Sequence, residues 1–185
     1  MSGFPRYFEA YGGLNALVKS KYFWTAVLIA GACSRYFTTP RWWELSIAIV
    51  PGLVGFSIAG IAIFISLGSD QLRSRIAGKM PGDNTESPFM AFMAMFTHFI
   101  VVQLIALVCA VIAKAFYDAR EITTNPLAGL ASDLKAPFWL LGGFCFIYAI
   151  VLCVALAIEI YRLASMIDAF QTMLNSSDQE GRSDE

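Results

Sequence analysis

The sequence predicts an all-α membrane protein of four transmembrane helices, with an N-terminal interfacial helix and a cytoplasmic extension of the fourth helix. Three observations carry that expectation. Of 185 residues, 57% are apolar or aromatic and only 15% are charged. Mean hydropathy is +0.61, and the apolar residues collect into four long segments. Soluble domains of this size rarely hold such a balance. A bilayer core about 30 Å thick takes roughly 20 apolar residues in a helix rising about 1.5 Å per residue. The expected spans are 22–37, 45–67, 89–117 and 138–158. They form a transmembrane domain over 22–174, preceded by an amphipathic segment over 1–21 and followed by a polar tail over 175–185.

In the first segment, Phe4, Tyr7, Phe8, Tyr11, Leu14, Leu17 and Val18 recur at three- and four-residue intervals, while Arg6, Glu9, Asn15 and Lys19 fall largely elsewhere. That is one apolar face of a helix lying on the inner leaflet or packing beneath a bundle. Pro5 suits a first turn, and the Gly12–Gly13 pair weakens or bends the helix near its middle. The first span is the shortest. Its far end reaches Arg35, whose stem can carry the charge to the headgroups. Lys19 and Lys21 precede an apolar run ending in Ala30, Gly31, Ala32 and Cys33, which resembles a weak lipoprotein cleavage box. The positive region comes late for a leader, so an uncut first span is expected.

The second span holds the sharpest pattern in the chain. Ala48, Gly52, Gly55, Ala59, Ala62 and Ser66 follow at intervals of 4, 3, 4, 3 and 4. They draw a stripe of small residues down one helical face, and such stripes let membrane helices approach closely. The expected role is a tight helix-packing or oligomer interface; several copies around an axis, leaving a narrow lumen, is the alternative. Pro51 cannot donate the helical hydrogen bond expected of it, so a hinge is expected at 50–52.

The third span opens on Phe89, Met90, Phe92, Met93, Met95, Phe96 and Phe99, a soft packing surface. His98 and Gln103 are its polar intramembrane residues, and Lys114 falls near the outer interface. His98 is the only histidine, so a His-rich metal site is not expected; an interfacial hydrogen bond is the expected role, with pH sensing as the alternative. Cys33, Cys109, Cys145 and Cys153 all sit in apolar spans and read as small packing residues.

The fourth span runs from Phe138 to Ile158, then meets Glu159 and Arg162 on neighbouring positions of one face. Ile160, Leu163, Met166, Ile167, Phe170 and Leu174 keep helical spacing along an extension over 159–174. That face needs a cover: its own bundle, a second protomer or a soluble partner. The tail after it is polar and mostly acidic, and is expected to be disordered or in contact with a partner. Eight cations (Arg6, Lys19, Lys21, Arg73, Arg75, Lys79, Arg162 and Arg182) fall on the side of the termini, and five (Arg35, Arg41, Lys114, Arg120 and Lys135) on the other. The excess puts both termini in the cytoplasm of a multi-pass inner-membrane protein, with Trp42, Trp43 and Trp139 expected near the outer interface.

No phosphate cradle, nucleophile motif or metal cluster stands in the loops, so no cofactor and no catalytic residue is expected. An enzyme using Asp118, Glu121 or Asp133 in a loop over 118–136 is the remaining catalytic reading. Arg73, Arg75 and Lys79 in the central loop, with Glu159, Arg162, Met166 and Phe170, form the candidate cytoplasmic partner-binding surface. Acidic residues among the loop cations speak against nucleic acid as a direct partner; lipids, a second copy and a cytoplasmic protein are expected instead.

Val50, Pro51, Gly52, Leu53, Val54, Gly55 and Phe56, together with the four-span plan, resemble the Pro-x-x-x-Gly-Phe signature of small four-pass bacterial membrane proteins. The KwaA-like membrane subunit of the Kiwa anti-phage defence system is among them. The resemblance implies a homo-oligomer of the inner membrane that detects phage-induced perturbation and works with a cytoplasmic DNA-binding partner. It carries no residue roles. The expected function is therefore a non-enzymatic oligomeric sensor or scaffold coupling membrane perturbation to a cytoplasmic partner; the alternative is an oligomeric ion channel or small transporter.

Overall fold

Gly12 and Gly13 decide where the first described helix starts. Their φ angles of 99° and 65° lie in the left-handed region, which glycine alone enters without steric cost. The computed structural model describes residues 12–67, 88–122 and 128–183, and within them the chain is helices joined by turns. Helix α1 spans Gly13–Lys19 and α2 spans Lys21–Ala32, with Ser20 extended between them. The Trp24 indole nitrogen donates to the Val18 carbonyl at 2.8 Å and ties the two together. In its described part the amphipathic segment expected over 1–21 holds the seven-residue α1, which ends at the extended Ser20. Its first eleven residues lie outside the described ones.

The expected first span is also broken. Cys33 leaves helical geometry (φ −90°, ψ 6°), and a four-residue α3, Ser34–Phe37, follows. At 12 residues α2 extends about 18 Å, short of the roughly 30 Å hydrocarbon core. Past α3 the hydroxyls of Thr38 and Thr39 donate back to the carbonyls of Arg35 and Tyr36 at 2.8 and 2.6 Å, satisfying groups the helix end leaves open. Arg41 then takes a positive φ of 74° and turns the chain into α4.

Among the described residues, three helices are long and apolar enough to cross a membrane. Helix α4 spans Trp42–Leu67, α5 spans Pro88–Ile122 and α6 spans Ala128–Ser183. Their membrane-length stretches are Trp42–Ile63, Phe89–Asp118 and Lys135–Ala169, close to three of the predicted spans. Helix α4 runs unbroken through Pro51. Helix α6 is longer than expected: it contains Pro137 and continues into the polar tail as far as Ser183. Its 56 residues extend about 84 Å, so it reaches well beyond a bilayer core. The connection between α5 and α6 shortens accordingly to 123–127, and Asp118, Glu121 and Asp133 belong to helices rather than to one loop.

Helix α6 is the spine, packed by α2, α3, α4 and α5, while α4 and α5 also pack on each other. Gly142 and Gly143 make this possible. A Cβ on Gly142 would stand 2.6 Å from the Trp42 ring, and one on Gly143 would stand 2.2 Å from the Phe37 ring. The two aromatic rings therefore lie directly on the α6 backbone. Trp42 meets Phe37 and Trp43 edge-on, and Trp43 meets Tyr117 and Trp139 at 5.2 Å. Trp42, Trp43 and Trp139 are buried, so these rings fill the protein at one end of the spans instead of forming a lipid-facing belt. Gly142 gives the Trp42 ring its inner place, where the indole N–H is buried with no hydrogen-bond partner among the described residues.

Gly143→Ala is expected to lower stability by about 1–3 kcal/mol, because the Phe37 ring must shift to admit the methyl. Gly31, with open space around it, is the control: alanine there should be neutral or stabilising by up to about 1 kcal/mol. Thermal denaturation midpoints of the two purified variants in one detergent check both.

Candidate functional site

Helix α4 has two opposite faces with different tasks. Ser46, Val50, Ser57 and Gly60 are buried against α5 and α6, with Trp42 and Trp43 at the head of the same face. Ala48, Gly52, Gly55, Ala59, Ala62 and Ser66 are all exposed. From Ala48 to Ser57 is nine residues, two and a half helical turns, which sets the two rows about 180° apart. A Cβ on Gly52 or Gly55 would meet nothing within 4 Å. The predicted small-residue stripe is therefore uncovered, and it is not the contact that holds this protomer together. Pro51 lies exposed beside it, and Leu45, Ile49, Phe56, Ile58 and Ile63 add bulk along its flanks.

The protomer closes through other small residues. On α5, Ala106, Ala110 and Ala113 are buried at spacings of 4 and 3; on α6, Ala149 and Ala155 are buried further along from the glycine pair. Gly60 admits Ile160 and Phe96, each within 3.4 Å of where its Cβ would stand. The α5 row carried the same spacing signal as the α4 stripe but stood among larger residues, which hid it.

His98 and Gln103 face into the protomer and are buried. Gln103 Nε2 donates to Ser57 Oγ at 2.9 Å. The single Ser57 hydroxyl proton has two acceptors, the Leu53 carbonyl at 3.0 Å and Gln103 Oε1 at 3.2 Å. The pair thus joins α4 to α5 inside apolar surroundings, where an unmet amide is costly. His98 Nε2 stands 3.4 Å from the Tyr148 hydroxyl, a long contact between α5 and α6. Tyr148 is also stacked on Phe144 and meets Phe23 of α2 edge-on. Both polar residues therefore connect helices of one protomer and lie away from the exposed stripe.

Just past the apolar stretch of α6 predicted over 138–158, Arg162 pairs with Glu159 at 2.8 Å. Ile160, Leu163 and Ile167 turn inward and are wholly or partly buried, so the protein itself covers much of the apolar face beyond Glu159. Met166 and Tyr161 stay exposed. Phe170 lies on the helix with its side chain outside the description, and Arg73, Arg75 and Lys79 fall outside the described residues altogether. Among the described residues, no three His, Cys, Asp or Glu side chains come together as a metal site. The four cysteines are half-buried free thiols within helices or at their ends.

Fold and sites together define an all-helical protein whose three long apolar helices are those of a multi-pass membrane protein. The sequence matches no protein-family model, no curated protein and no solved structure.

Removing Ser57 leaves the Gln103 amide buried without this partner, whereas removing Gln103 leaves the Ser57 hydroxyl its bond to the Leu53 carbonyl but breaks the link between α4 and α5. Ser57→Ala and Gln103→Leu are each expected to destabilise. Their double-mutant cycle should give a coupling of about 0.6–1.7 kcal/mol, the range for interhelical hydrogen bonds in membranes. A coupling near zero would show that the two groups do not meet.

Proposed function

We propose that the chain is a non-enzymatic, homo-oligomeric inner-membrane sensor or scaffold, in which α4 binds α4 of a second copy through its small-residue stripe. One observation carries the reading: six small residues stand in a straight row on the outside of the protomer, with no side chain over Gly52 or Gly55. Lipid tails gain little by covering such a row, whereas a second backbone can approach it closely and gain dispersion contacts along its whole length.

The broken segment α2–α3 serves as a fourth, shorter crossing, which brings both termini to the cytoplasmic side. Its packing along α6 supports this, as does the outward exposure of Leu28, Ile29 and Tyr36. The signal is a change in how protomers pack. Pro51 leaves one helical hydrogen bond unmade beside the stripe, so α4 bends there at lower cost than elsewhere. A bilayer disturbance that favours one α4 arrangement over another shifts their populations. The change passes along α6, whose extension with Tyr161 and Met166 and the central loop with Arg73, Arg75 and Lys79 offer the cytoplasmic partner surface. The resemblance to the KwaA-like subunits supports a role in anti-phage defence.

A conducting assembly has less support. The two intramembrane polar residues that would line a passage, His98 and Gln103, are buried within the protomer and away from the stripe.

Mass measurement of the full chain in nanodiscs tests the reading. A discrete oligomer is expected, and Gly55→Leu is expected to raise its dissociation constant at least about tenfold, leaving the protomer folded because the site is open. A monomeric wild type, or an oligomer indifferent to Gly55→Leu, overturns it. Selective ion flux through liposomes, lost in the same variant, would establish the channel instead.

A further inference from the structure

The turn between α1 and α2, together with α5 and α6, borders a cavity of about 240 Å³. Met95, Phe99, Leu152 and Ala155 give it apolar walls, and Ser20, Tyr22 and Glu159 give it a polar side. The Tyr22 hydroxyl is buried and has no hydrogen-bond partner among the described residues. Two cations flank that polar side. Arg162 holds Glu159 at 2.8 Å, and the Lys21 ammonium lies 5.1 Å from the centre of the Tyr22 ring.

The volume equals about eight water molecules at ~30 Å³ each, yet the side chains of five of the eight wall residues offer a water no hydrogen bond. A small polar solute would meet the same mismatch. An amphiphile fits both sides at once: an apolar chain against the methionine, phenylalanine and leucine, and an anionic head between the two cations. Arginine engaged by one carboxylate retains free donors for a phosphate, and lysine supplies a point charge. Basic residues at the membrane boundary favour phosphate-bearing lipids for the same reason.

We propose that this cavity binds one membrane phospholipid, with part of an acyl chain against Met95, Phe99 and Leu152 and its phosphate between Lys21 and Arg162. Ser20 and Tyr22 donate to its head-group or ester oxygens. The site joins the N-terminal helices to α5 and α6, so its occupancy stabilises that packing. It stands on the cavity and its charges, independently of whether copies of the chain associate through α4.

The test uses the full chain, exhaustively exchanged into mild detergent, supplied with phosphatidylglycerol and weighed by native mass spectrometry. Wild type is expected to retain one phospholipid per chain. Ala16→Phe, which fills the cavity from α1, should lower the bound fraction about tenfold, whereas Leu28→Ala, on the outward side of α2, should leave it unchanged. The double variant Lys21→Ala, Arg162→Ala changes two exposed side chains and probes the phosphate contact without touching the apolar walls; it too should lose the lipid. A wild type that retains no phospholipid overturns the proposal, as does equal retention by wild type and the folded charge variant, which would mark the lipid as part of the unspecific shell.

Discussion

Lipid tails are as apolar as leucine, so burying apolar surface does not hold helices together inside a bilayer; close approach does. This constraint governs where the small residues of the chain stand. Gly142 and Gly143 let two aromatic rings rest on the α6 backbone, Gly60 admits Ile160 and Phe96, and the alanine row on α5 lies buried in the bundle. Each of these contacts closes the protomer. The α4 row of Ala48, Gly52, Gly55, Ala59, Ala62 and Ser66 obeys the same spacing rule and closes nothing within it. The difference between used and unused small residues is the central fact of the structure.

The buried polar groups fit the same frame. Gln103 and Ser57 satisfy each other across α4 and α5, which fixes the rotation of α4 about its own axis. With Ser57 turned inward, helical periodicity turns Gly52, Gly55 and Ala59 outward. One hydrogen-bonded pair therefore presents the whole stripe. Tyr148 has a comparable part on α6, where Phe23, Phe144 and His98 surround it and bring α2 and α5 to the same height. Bundle geometry depends on these few directional contacts because the apolar ones alone are interchangeable.

The three longest helices were legible in the sequence because uninterrupted apolar length is a strong signal. The α4 stripe was legible as a pattern, and its direction was not: the opposite face also carries Ser46, Ser57 and Gly60, so both sides of α4 offer small residues. The break at Cys33 left only a faint trace, since Gly31, Ala32 and Cys33 are as apolar as a continuing helix requires. Trp42, Trp43 and Trp139 sit at the ends of the spans, but the inward place of Trp42 depends on the room left by Gly142, some hundred residues away. Helix α6 outran its apolar pattern into 175–183, where only Gln179, Glu180 and Arg182 are good helix formers, so local propensity gave no sign of that extension. The cavity beside Tyr22 joins residues from four helices and left no local mark at all.

The account stands on the outward stripe being an α4 contact between copies, and cysteine cross-linking in native membranes tests it most directly. With the four native cysteines replaced, single cysteines introduced in turn from 46 to 66 are oxidised in the intact membrane. Cross-linked dimers that peak at 48, 52, 55, 59, 62 and 66 and vanish at 50 and 57 are the predicted result. Cross-linking without that period, or confined to another face, would contradict it.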